Sequence, residues 1–144
     1  MRAVVSLGSN LGDRAGYLSK ALSLLTALPE TALIAASSPV ETEPVGVPEK
    51  YQHLKFLNQL AFFETSLEVH EFSRLMHKIE DDLGRVRLER NGPRTIDLDL
   101  IDFGGLTLDE PDLILPHPRA AERDFVMKSY RELEAILGEE PKIF

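Results

Sequence analysis

The chain has 144 residues, 43% of them hydrophobic and 28% charged, which suits one domain spanning 1–144 with a full core. Its formal net charge of −8 argues against coating nucleic acid or lying on a membrane, since both need a broad basic footprint. Without cysteine there is no disulfide and no zinc–thiolate site, and without a leader pattern or an apolar run of transmembrane length the expected location is the cytoplasm.

Ala3 to Leu7 alternates as a strand does and ends in the turn-rich segment Gly8-Ser9-Asn10-Leu11-Gly12-Asp13. Leu18, Leu22 and Leu25 follow at helical spacing, with Pro29 beyond the end. A second strand is expected over 33–38. Residues 39–54, with three prolines and a glycine, read as a long loop. Phe56 to Thr65 reads as the longest strand and puts Phe56, Asn58, Leu60 and Phe62 on one face. Thr65 with Glu68 offers a capping box. Phe72, Leu75, Met76, Ile79 and Leu83 then form an amphipathic stripe closed by Gly84. Residues 85–94 make a second long loop before a strand from Asp97 to Phe103. Gly104-Gly105 turns the chain, so that a short strand with Leu106 and Leu108 can pair back as a hairpin. Pro116-His117-Pro118 precedes a last helix carrying Leu133, Ile136 and Leu137 ahead of Gly138. The order β-α-β-β-α-β is that of a ferredoxin-like α+β sandwich, an antiparallel sheet with helices on one face and the other free for a site. Two long loops in so small a domain are more often functional than structural.

The most informative stretch is Arg90-Asn91-Gly92-Pro93-Arg94-Thr95-Ile96-Asp97-Leu98-Asp99-Leu100. Strand alternation puts Ile96, Leu98 and Leu100 on one side and Asp97 and Asp99 on the other, the two acids roughly 6.5–7 Å apart at the backbone. Two such carboxylates repel unless water or cations face them. Hard oxygen ligands at this spacing suit Mg²⁺ held together with substrate phosphates. Four of the sixteen basic residues (Arg85, Arg87, Arg90, Arg94) fall within 85–94, and Arg119 and Arg123 follow His117. A basic island on an acidic body points to a compact anion such as a nucleoside triphosphate, and carboxylates beside guanidinium groups are the parts of a phosphoryl-transfer site. Ordinary surface chemistry can also place Asp and Arg together. A calcium loop is excluded, because the sixth position counted from Asp97 is Asp102 rather than Gly and the twelfth is Leu108 rather than Glu.

GSNLGD, FLN, ET, GRVR, GPRTIDLDLI, PHP and ERDFVM, in this order, resemble the 6-hydroxymethyl-7,8-dihydropterin pyrophosphokinase family of folate biosynthesis, from Ala3 to about Leu137. The resemblance implies a ferredoxin-like fold and transfer of the diphosphate of ATP to the pterin hydroxymethyl oxygen, releasing AMP, with two Mg²⁺. It implies that Asp97 and Asp99 hold both ions, and that Arg94 and Arg85 close over the triphosphate as catalytic residues. Arg87, His77, Glu80, Leu100, His117 and Arg123 fall at nucleotide-side positions, and Thr42, Glu43, Val45, Phe56, Asn58 and Phe125 at the pterin pocket, where the two phenylalanines would sandwich the ring. The chain departs from the family pattern at three places: Asn91 stands where some members carry Trp, Phe56 where others carry Tyr, and His77 where Gln is expected. The implied partners are small molecules, ATP and hydroxymethyldihydropterin, with no nucleic acid and no membrane. A monomer is the expected state, a dimer the alternative.

Two other readings stay on the table. Gly-Ser with a downstream Asp-x-Asp is a nucleotidyltransferase signature, but Gly8-Ser9 is far in sequence from Asp97; that chemistry would release pyrophosphate rather than AMP. A non-catalytic ferredoxin-like binding module, such as an RNA-recognition domain, would want exposed aromatics and basic residues in an RNP-like run, which is missing. So are a GxxxxGK[ST] loop and a GxGxxG loop, leaving a triphosphate to metals and side chains.

Overall fold

In the computed structural model β1 (Arg2–Ser9) is buried from Ala3 to Ser9. Along its first half both faces of the sheet are covered by packed side chains. Residues 1–43, 49–84 and 95–138 are described; the expectations for Val45 and for the 85–94 loop with Arg85, Arg87, Arg90, Asn91 and Arg94 lie outside them. After β1 come α1 (Arg14–Thr26), β2 (Thr31–Ala36), β3 (Val40–Thr42), β4 (Phe56–Thr65), α2 (Val69–Asp82), β5 (Asp97–Phe103), β6 (Leu108–Glu110), β7 (Leu113–Leu115) and α3 (Asp124–Ile136). The main sheet runs β2-β4-β1-β5, with β3 paired to the start of β4, and every pairing is antiparallel. This is the expected ferredoxin-like α+β sandwich.

One face carries Ala3, Val5, Leu7, Ala61, Phe63, Leu98 and Leu100 against Leu18, Ala21 and Leu25 of α1 and Phe72, Met76 and Ile79 of α2. Phe72 and Phe103 meet there with ring centroids 5.7 Å apart. The opposite face carries Val4, Leu60, Phe62 and Ile101 against Val126, Tyr130 and Leu133 of α3, with Phe62 and Tyr130 edge to face at 5.1 Å. The last helix therefore covers half of the face that sequence order left open. Plain alternation from Asp97 and Asp99 puts Ile101 on the α3 side. The β1–β5 register then shifts between Val4 and Val5, which returns Phe103, opposite Ala3, to the first-face core.

Three local expectations change. Within 39–54 lie β3 and a 3₁₀ turn at Glu49–Tyr51, because Val40, Glu41 and Thr42 find free ladder partners on Asn58, Leu57 and Phe56. No capping box forms at α2. Glu68 is itself the N-cap, accepting from the amides of His70 (2.9 Å) and Glu71 (3.3 Å), while Thr65 ends β4 and accepts from the Leu67 amide at 3.1 Å. Gly104 and Gly105 do turn, with φ of 60° and 76°, but β6 pairs with β7 as a separate two-stranded sheet instead of returning to β5.

Candidate active site

Beyond the reach of α3, no helix among the described residues packs on the second sheet face at the end where β1 finishes. Asn58, Gly8 and Asp97 pair in line across β4, β1 and β5, and Leu60, Ser6 and Asp99 form the next row. Gly8 keeps the floor between Asn58 and Asp97 clear: a Cβ there would stand 2.9 Å from Asn58 Oδ1 and 3.6 Å from Phe56 Cδ1. Asn58 is buried, and its Nδ2 donates to Thr42 Oγ1 at 2.5 Å, fastening β3 to β4. Arg14 braces the same corner from α1, donating to the Lys55 carbonyl (2.9 Å) and to Glu41 (3.0 Å). Thr42, Asn58 and Phe56 thus lie together at this corner. Glu43 sits beside them, its exposed side chain paired with Lys55 at 3.2 Å. Phe125 lies on the first turn of α3, packed on the second-face core.

At the other side of Gly8, Asp97 and Asp99 share one strand face, as alternation requires. Arg123 Nη1 lies 3.5 Å from Asp99 Oδ2 and His117 Nε2 lies 4.0 Å from Asp99 Oδ1. Burial, and next the Asp97 charge, push the Asp99 carboxyl above the usual carboxylate range; His117 and Arg123 offset this only in part. The segment bearing His117 is tied to β5 by its amide, which donates to the Ile101 carbonyl at 2.8 Å. His117 Nδ1 accepts from the Arg119 amide at 3.2 Å, so the ring proton of the neutral tautomer is on Nε2, toward Asp99. Burial holds this imidazole below its ordinary value, against the pull of Asp99.

Two acids on an open, partly desolvated strand face, one held above its normal pKa partly by the other, are a donor set short of positive charge. Hard carboxylate oxygens fit Mg²⁺. Among the described residues no cluster of three or more metal-ligating side chains forms, so substrate oxygens and water would have to complete the coordination, the usual arrangement for Mg²⁺ on a nucleotide.

Leu100 and Glu80 are placed differently from an exposed ligand. The Leu100 side chain is in the first-face core, so only its backbone, on the outer edge of β5, can face a nucleotide. Glu80 is 1% exposed and its Oε2 accepts from the Leu98 amide at 2.7 Å. His77 Nδ1 stands 2.7 Å from the other oxygen of Glu80. His77 also lines a groove of about 660 Å³ between α2 and the β6–β7 hairpin, with Ser73, Arg74, Lys78, Asp112 and Leu113. This groove lies to the side of the acid pair, not over it. Ser73 and Arg74 escaped the sequence reading although they precede His77 by one helical turn; Asp112 and Leu113 reach the groove only through the fold.

Fold and site together define a class: a ferredoxin-like α+β enzyme scaffold with an acidic pair at the end of the sheet, a buried Asn58–Thr42 corner on one side and a groove along α2 on the other. The model of the family described as 7,8-dihydro-6-hydroxymethylpterin-pyrophosphokinase matches residues 4–135. Relatives named 2-amino-4-hydroxy-6-hydroxymethyldihydropteridine pyrophosphokinase are similar along most of the chain. The one from Bacillus subtilis (strain 168) is 42% identical over 91% of this chain and 77% of its own length. That of Methylorubrum extorquens is 36% identical over 96% and 87%, and that of Pseudomonas aeruginosa 37% over 92% and 80%. The chain belongs to the 7,8-dihydro-6-hydroxymethylpterin-pyrophosphokinase family. It is an enzyme, a pyrophosphokinase of folate biosynthesis acting on small molecules with ATP as co-substrate. Among the described residues no helix is long and apolar enough to cross a membrane.

Proposed function

We propose that this chain, acting as a single domain in the cytoplasm and as a monomer, transfers the β,γ-diphosphate of ATP to the hydroxymethyl oxygen of 6-hydroxymethyl-7,8-dihydropterin with two Mg²⁺ held by Asp97 and Asp99. The observation that carries this reading is the row Asn58–Gly8–Asp97. A pterin lying against Asn58 and Phe56 over the bare glycine would present its alcohol to a triphosphate anchored at Asp97 and Asp99. Asn58 has both a donor and an acceptor for the amide-like pterin edge, with Thr42 and Glu43 beside it and Phe56 and Phe125 as stacking surfaces; Val45 is assigned to the same pocket.

On the nucleotide side, the groove flanked by His77 accommodates the nucleoside. The outer backbone edge at Leu100 and the side chains of His117 and Arg123 line the path to the phosphates, and Arg87 is assigned as a further nucleotide contact. The alcohol oxygen bonds to the β-phosphorus as the bond from that phosphorus to the α,β-bridging oxygen breaks in line; AMP leaves with that oxygen and the alcohol proton is released to water. Bound Mg²⁺ would neutralise phosphate charge and polarise the β-phosphoryl group. Arg85 and Arg94 supply bidentate contacts to charge that grows in the transition state. His117, neutral and directed at Asp99, helps keep that carboxylate oriented for the metal.

The test is to incubate the protein with ATP, Mg²⁺ and hydroxymethyldihydropterin and to identify the nucleotide released. AMP in equal amount to the pterin diphosphate supports this reading. Free pyrophosphate with a nucleotidylated pterin would instead be nucleotidyl transfer.

A further inference from the structure

Among the described residues β5 is the edge strand on its side of the main sheet, and the amides pointing away from β1 find no ladder partner among them. One of them, Leu98, lies between Asp97 and Asp99 and is the amide that Glu80 accepts at 2.7 Å. Glu80 comes from α2, beneath the sheet, and is 1% exposed. Burying a carboxylate is unfavourable unless it is well hydrogen-bonded, and this one spends one oxygen on the peptide linking Asp97 to Leu98 and the other on His77. Because a peptide unit is planar, holding the Leu98 N–H fixes rotation about Asp97 and with it the direction in which both acid side chains leave the strand.

We infer that Glu80 is a positioning residue of the metal-binding pair: by holding the Leu98 amide it sets the orientation of Asp97 and Asp99, and through His77 it joins that strand to the groove beside α2. This rests on the reading that Asp97 and Asp99 bind the divalent ion. It assigns Glu80 a role on the strand, distinct from contact with the nucleotide.

The experiment titrates Mn²⁺, as metal probe, into the intact protein saturated with α,β-methylene-ATP, for the native chain, Glu80→Gln, Glu80→Leu and Asp97→Asn. Gln keeps an oxygen for the Leu98 amide and an N–H₂ for His77 Nδ1; Leu keeps the volume and loses the acceptor. Glu80→Leu should weaken Mn²⁺ binding about 10–100-fold, the range seen when groups behind metal ligands are removed, with pterin affinity unchanged. Glu80→Gln should restore native Mn²⁺ affinity to within about threefold, as a neutral acceptor replaces a charged one. Hydrogen exchange at the Leu98 amide should be slow in the native protein and in Glu80→Gln, and fast in Glu80→Leu. Native-like Mn²⁺ affinity in Glu80→Leu, equal losses in Gln and Leu, or an unprotected Leu98 amide in the native chain would each overturn the inference; the last holds even if Glu80→Leu does not fold. If Asp97→Asn binds Mn²⁺ as the native chain does, the metal reading itself is wrong and the inference goes with it. If Asp97→Asn loses the ion while Glu80→Leu keeps it, only the inference falls.

Discussion

Arg123 reaches Asp99 from the start of α3, Nη1 to Oδ2 at 3.5 Å, and this looseness is informative. A close bidentate pair would neutralise the acid and leave no vacancy for a metal. At this distance Arg123 tempers the charge of Asp99 without abolishing it, and the carboxyl still sits above its ordinary range because of burial and of Asp97. The acid pair is held at some cost to the ligand-free fold.

It follows that Asp99→Asn should make the ligand-free protein more stable while removing turnover. For an acid whose folded pKa is raised, ionisation disfavours the fold once pH exceeds the unfolded value, so at neutral pH removal of the charge is a gain. A rise in Tm is expected, read by thermal melting of the ligand-free proteins. ATP with Mg²⁺ should raise the Tm of the native protein and leave that of the variant unmoved. Asp97→Ala or Asp99→Ala should lack measurable turnover at saturating Mg²⁺; near-native rates in either would contradict the assignment.

Gly8→Ala tests the floor of the proposed pterin site. Its Cβ would lie 2.9 Å from Asn58 Oδ1, so Asn58 must yield by a few tenths of an ångström. Misplacement by ~1 Å costs about 100-fold in rate, so a smaller shift predicts a fall of about tenfold in kcat/KM for the pterin. Binding of ATP should not change. An equal loss for both substrates, seen by calorimetry on each separately, would point to general disruption instead.

His70 links α2 to the β6–β7 hairpin. Its Nε2 is 2.6 Å from Glu110 and its Nδ1 2.5 Å from Glu68. The hydrogen bond to Glu110, then that to Glu68, raises its pKa from 6.5 to about 8. Because the folded value is the higher one, the link is complete below pH 6.5 and is lost as pH rises through about 8. Nearby Arg74 is engaged by Glu71 and does not replace it. Hydrogen exchange in the hairpin, corrected for its intrinsic pH dependence, should therefore quicken across that window in the native chain. In His70→Gln it should be flat.

Phe72→Ala addresses the first-face core. The ring is fully buried and meets Phe103 at 5.7 Å, so the substitution should cost about 3–5 kcal/mol. Against a total stability of about 5–15 kcal/mol for a typical domain, this would lower the urea midpoint strongly at an unchanged m-value.

Local periodicity made the βαββαβ order, the long β4, the α2 stripe and the shared face of Asp97 and Asp99 legible in the sequence, since each is set by residues two to four positions apart. The match of short motifs also pointed to the family. Pairings between distant segments were not legible. That β6 turns to β7 rather than to β5, that Val40–Thr42 joins β4, and that Glu68 rather than Thr65 caps α2 depend on which partner is free once the sheet has formed. The bulge that returns Phe103 to the first-face core arises from register with β1, and that the last helix covers half of the second face depends on Val4, Leu60, Phe62 and Ile101 coming together there from three strands. Asn58, Gly8 and Asp97 become neighbours for the same reason: antiparallel ladders align residues by where strands begin and end, a property of the whole sheet that no window of the chain contains.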